Sequence, residues 1–153
     1  MLAGVWMLYF CFGSTAAAIA PLVSHVTGEL DLSYTQMGSI LGAWQLVYIG
    51  AAIPCGALLD RLGPRRGLAL GAFVVAISGI MRGFATDYIT MLLAVAAFGI
   101  GGPLVSVGAP TVISQWFIGR ERGLAMGLYN AGQSIGTIGA LSLTSSLGLS
   151  LAG

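Results

Sequence analysis

The chain has 153 residues, of which 57% are hydrophobic and only 7% charged, and its formal net charge is +1. A soluble domain carries about a quarter charged residues, so this chain cannot coat a water-facing globule, and its excess apolar surface must face lipid. Lysine is absent and the six arginines stand against five acids, which excludes a basic nucleic-acid-binding surface. The two cysteines, Cys11 and Cys55, fall in apolar stretches and read as inert thiols. No Cys/His spacing suggests a metal site, and no cofactor is expected.

A membrane-spanning helix needs about 20 mostly apolar residues. Five stretches qualify in chain order: 2–23, 36–59, 67–85, 88–113 and 123–147. The first has no positive n-region before it and does not read as a cleaved signal peptide. The connection at 24–35 holds His25, Glu29 and Asp31 and no arginine. The next, at 60–66, holds Arg61, Arg65 and Arg66. The third, near Thr86 and Asp87, holds one acid, and the fourth, at 119–122, holds Arg120 and Arg122. Five of the six arginines therefore fall on one side, which the positive-inside rule assigns to the cytoplasm together with the N-terminus. The expected class is an all-α, multi-pass protein of the plasma (inner) membrane. Trp6, Tyr88 and Trp116 lie near the expected interfaces, where amphipathic rings settle.

Glycine is abundant, at 24 residues. Gly38 with Gly42, Gly123 with Gly127, and Gly132 with Gly136 form small-xxx-small pairs, which let helix backbones approach closely in lipid. A faint echo links Pro21-Leu-Val-Ser24 to Pro103-Leu-Val-Ser106, as in three-plus-three repeats of transporters.

The connection between the second and third stretches reads Gly56-Ala-Leu58-Leu-Asp60-Arg61-Leu-Gly63-Pro-Arg65-Arg66-Gly-Leu68. Gly63 supplies backbone freedom for a tight turn, and Pro64 suits the first position of a following helix. Asp60 ends one helix beside Arg61, Arg65 and Arg66, where a carboxylate can pair with arginine or with a helix N-terminus. This loop resembles the signature loop of the major facilitator superfamily, G-x-L-x-D-R-x-G-x-R-x-x-L, at every specified position and in the expected place. The resemblance implies five helices of an incomplete twelve-helix fold, and a secondary transporter of a small solute that works by alternating access. It also implies that Asp60, with Gly56, Arg61, Gly63 and Arg65, forms a conformational latch against the C-terminal half. Trp116-Phe117-Ile-Gly-Arg120-Glu121-Arg122-Gly123-Leu-Ala-Met-Gly127 looks like the same family's fourth-to-fifth helix loop. Glu121 and Arg122 would there either join Asp60 and Arg65 in one charge cluster or solvate helix ends. Gly101-Gly102-Pro103 with Gly108-Ala109-Pro110, followed by Ser114-Gln115-Trp116-Phe117, is similar to cyanate-permease-like anion transporters. Two departures weaken a drug/proton antiporter reading. The stretch 93–99 lacks the arginine of many proton-coupled members, and Gly127 is not followed by the proline of antiporters.

Polar groups at membrane depth are costly, so each is a candidate for function. Tyr9, Gln45, Tyr48, Ser106, Asn130 and Gln133 are candidate substrate-binding residues, weighed against simple interhelical hydrogen bonding. Gln45 with Tyr48, and Asn130 with Gln133, are three apart and share a helix face. Arg82 lies toward the outer end of the third stretch, where it either snorkels or attracts an anion. His25 falls at the outer end of the first stretch and reads as a surface group. No catalytic constellation is present, so an enzyme is not expected. The expected partners are a small-molecule substrate such as an organic or inorganic anion, with a coupling ion, the lipid bilayer and a missing C-terminal half, the chain reading as a fragment. The competing reading is a non-transporting polytopic sensor or assembly subunit.

Overall fold

The computed structural model describes residues 2–18, 20, 23–29 and 31–151. Among these the chain forms helices and no strand: α1 (Leu2–Ala17), α2 (Val23–Glu29), α3 (Tyr34–Leu62), α4 (Pro64–Gly83), α5 (Tyr88–Trp116) and α6 (Arg120–Leu151). The all-helical class expected from composition is what is found. Helices α3, α4 and α5 are long and apolar enough to cross a membrane by length and composition. Helix α6 is the longest of the described helices, at 32 residues.

The first stretch differs from expectation. A single helix over 2–23 was expected; α1 instead stops at Ala17 after 16 residues, and α2 occupies part of the expected connection. Pro21 gives the physical reason, because proline removes a backbone donor and disfavours helical backbone at the residue before it. Met1, Pro21 and Leu22 lie outside the described residues, and with them the first half of the proline echo. The same holds for the side chains of Ser24, His25 and Glu29.

The chain divides into two compact units, Met1–Asp31 with Trp116–Gly153, and Leu32–Gln115. In the first, α1 and α6 pack backbone to backbone. A Cβ added at Gly13 would run into the Gln133 carbonyl, one at Gly136 into the Phe10 carbonyl, and one at Gly132 would lie 2.7 Å from the Trp6 carbonyl oxygen. Ser14 Oγ donates to the Phe10 carbonyl at 2.9 Å and to the Gly136 carbonyl at 3.1 Å. Of the three small-xxx-small pairs, only Gly132 with Gly136 is used in this way. Around Gly38, Gly42, Gly123 and Gly127 an added Cβ meets nothing within 4 Å.

In the second unit, α3 opens on a capping box in which Ser33 and Gln36 each accept from the other's backbone N–H. Helices α4 and α5 run antiparallel. Ser78 Oγ donates to the Ala94 carbonyl at 2.6 Å, while nearer the start of α4 a Cβ on Gly71 would touch Leu104 and Val105. Helix α5 carries a long series of buried residues, from Met91 to Ile113. Cys55, Leu59 and Leu104 form a small buried cluster. The outer faces are apolar, with Leu46, Ile53, Phe73 and Ile89 all exposed. Exposed apolar surface on this scale fits a lipid solvent and not water.

Candidate functional site

The signature loop is a single-residue turn. Helix α3 ends at Leu62, α4 starts at Pro64, and only Gly63 lies between them. Gly63 has φ +80°, a conformation side-chain-bearing residues rarely adopt. Its N–H donates to the Leu59 carbonyl at 2.9 Å, and its own carbonyl accepts from Gly67 N–H at 3.0 Å. Pro64 occupies the first position of α4, where a missing donor costs nothing. Asp60 and Arg61 therefore sit in the last turn of α3, and Arg65 and Arg66 in the first turn of α4, all four exposed. Gly56 lies one turn before Asp60 and is half-buried. Glu121 and Arg122 open α6 in the other unit and are also exposed.

Four of the polar candidates belong to the second unit, and the structure joins two of them directly. The Tyr48 and Ser106 hydroxyls are 2.7 Å apart, and Ser106 Oγ also lies 2.9 Å from the Gly102 carbonyl of its own helix. Gln45, three residues before Tyr48, is exposed. From Tyr48 a series of aromatic contacts runs on. Trp44 meets Tyr48 edge-on with centroids 6.3 Å apart, and meets Phe98 edge-on at 5.9 Å. The Arg82 guanidinium carbon lies 5.0 Å from the centroid of the Phe98 ring. A cation, three rings and a hydroxyl pair thus form one connected set on α3, α4 and α5.

The Arg82 side chain of α4 packs against α5. Ser78 and Ala94 are level with each other. Arg82 lies one turn beyond Ser78, about 6 Å toward the C-terminal end of α4. Phe98 lies one turn beyond Ala94, in the opposite direction, because the helices are antiparallel. The side chain must run back toward the N-terminal end of its helix, the direction helical Cα–Cβ bonds favour, and the ring face draws the cation there. The stretch 93–99, which has no arginine of its own, has one brought against it by α4.

In the first unit, Tyr9 is buried against Tyr129, with ring centroids 4.6 Å apart at 71°. Asn130 is exposed and its amide donates to the Met126 carbonyl of its own helix at 3.1 Å. Gln133 is half-buried, and its backbone abuts Gly13. Asn130 and Gln133 therefore do not share one environment despite their spacing. Tyr129 takes the buried position. The buried residues Ala125, Tyr129, Gly132 and Gly136 repeat at helical spacing, and that periodicity was the signal available.

Residues 5–153 match the family model of the Major Facilitator Superfamily. The chain is 40% identical over 108 residues to a probable L-galactonate transporter of Escherichia coli (strain K12), covering 71% of this chain and 24% of that protein. It is 28% identical over 120 residues to a D-galactonate transporter of Escherichia coli O6:H1, covering 78% and 28% respectively. It is also 28% identical over 136 residues to a nitrate/nitrite transporter of Nostoc punctiforme, covering 88% and 27%. The chain spans about a quarter of the length of these curated relatives.

Proposed function

The chain belongs to the Major Facilitator Superfamily and is part of an integral, multi-pass, all-helical membrane protein, and on that premise we propose that this protein is a secondary transporter of small anionic solutes. The observation that carries the reading is the complete signature loop, folded into a one-residue turn at Gly63 with Asp60 and Arg65 flanking it. The relatives' names supply the solute class. Galactonate and nitrate differ in size and in hydroxyl content, yet both present a planar, negatively charged set of oxygens. A sugar acid adds hydroxyls, and the Tyr48–Ser106 pair offers groups that both donate and accept hydrogen bonds. Gln45 in the same unit, and Tyr9, Asn130 and Gln133 in the other, are the further polar side chains proposed to meet solute.

In this reading the protein moves its solute without transforming it, and it does so by alternating access. The N-terminus and the Asp60 turn face the cytoplasm of the inner membrane, as the arginine distribution favours. Asp60, with Arg61, Arg65, Glu121 and Arg122, makes contacts that break and re-form as the protein changes state. The remainder of the same protein supplies the opposing half and the site for any coupling ion.

The test is uptake of labelled galactonate by proteoliposomes holding the protein. Uptake above empty liposomes, inhibited by other anions and not by the neutral alcohol galactitol, is the expected result. Asp60→Asn should lower the rate roughly tenfold or more, the scale of a lost charge-assisted contact. Wild-type protein that takes up no more galactonate than empty liposomes would refute the reading and favour a sensor or assembly role.

A further inference from the structure

We infer that Arg82 is the charge that recognises the anionic group of the solute, held for that task by the face of Phe98. The inference rests on the proposed anion transport and names the residue that would select for charge. Three observations carry it. The other charges of α3, α4 and α6 lie in the first or last turns of their helices and are exposed. Arg82 also starts from a last turn, but its side chain runs back to Phe98, ten residues into α5. The guanidinium is thereby drawn away from the helix end and toward the middle of the unit.

The second observation is the seat itself. Phe98 is 1% exposed and packs near-perpendicular to Trp44. A buried ring is a poor place to park a charge merely to keep it hydrated, since water is the better solvent for it. It is a good place to orient one. A cation held over a ring face is attracted by the ring quadrupole and keeps its positive charge. A guanidinium so held is a planar fork whose geometry matches a carboxylate or another planar oxyanion.

The third observation is continuity. The Trp44–Tyr48 contact links the same ring set to the Tyr48–Ser106 hydroxyl pair. The unit therefore presents a charge at one end of an aromatic series and hydroxyls at the other.

The test compares Arg82→Gln, Arg82→Lys and Phe98→Leu with wild type, using galactonate uptake and its inhibition by nitrate in proteoliposomes. Arg82→Gln should raise KM for galactonate roughly tenfold or more, as loss of a charged hydrogen bond does, and should abolish inhibition by nitrate. Arg82→Lys keeps the charge and loses the fork, so KM should rise less. Phe98→Leu should also raise KM, because the guanidinium loses its seat. Were Arg82 only a cation–π staple, Arg82→Gln would lower thermal stability and maximal rate while KM and nitrate inhibition stayed within twofold of wild type. That result would overturn the inference and leave anion transport standing. If Arg82→Gln does not fold, Arg82→Lys decides: a raised KM in folded protein supports the role, and an unchanged KM overturns it. Wild-type protein with no galactonate uptake overturns the proposed function and this inference with it.

Discussion

The two units solve the same problem by different means. Between α1 and α6, glycines remove side chains so that backbones touch, and Ser14 and Thr137 hydroxyls donate across the gap to carbonyls at 3.1 Å and 3.4 Å. In the α3–α5 unit, side chains do the joining: Tyr48 to Ser106, Ser78 to the Ala94 carbonyl, Ser39 to Tyr88 at 2.8 Å, and Arg82 to Phe98. In lipid the hydrophobic effect does not drive helices together, so close packing and interhelical hydrogen bonds must. Close approach is present in the second unit too, where an added Cβ on Gly99 would lie 2.5 Å from the Trp44 carbonyl oxygen, so there side-chain links are added to glycine packing.

The contrast can be broken most strongly at the glycine contact. Gly136→Val should destabilise the protein by about 1–3 kcal/mol, the cost of overpacking, because its Cβ meets the Phe10 carbonyl. Thermal unfolding in detergent would measure it. Ser78→Ala should cost about 1 kcal/mol in the same assay, since it leaves the Ala94 carbonyl without that donor. Tyr48→Phe should cost only about 0.6 kcal/mol in stability, the average for an interhelical hydrogen bond in membranes. The same variant should raise KM for galactonate while leaving that for nitrate, which has no hydroxyls, unchanged. Gly42→Ala should shift stability by no more than about 0.5 kcal/mol, because an added Cβ there meets open space. Equal effects at Gly136 and Gly42 would erase the distinction between a packed and an open glycine.

Much of this was legible beforehand, and the reasons are physical. Helices α3 to α6 overlie the four later apolar stretches, as expected where backbone donors in lipid must be satisfied within the segment. The turn at Gly63 was legible because few residues besides glycine tolerate its conformation, and Pro64 marks a helix start. The break after Ala17 is hidden from hydropathy, which does not register the backbone cost of Pro21. Asn130 and Gln133 are three apart in sequence, but which face of α6 is buried is set by where α1 lies, and Tyr129 takes the buried position. The direction of Arg82 was not legible at all. Its distance along the third stretch says nothing of a contact with Phe98, because that ring belongs to a different helix, sixteen residues later.

The most direct test of alternating access is counterflow. Proteoliposomes holding the protein are loaded with unlabelled galactonate, diluted into a trace of labelled galactonate, and compared with unloaded ones. A carrier that exposes one site to each side in turn should show faster entry and a transient overshoot of label in the loaded vesicles. Identical time courses with and without internal galactonate would contradict the reading of this protein as a transporter of that kind.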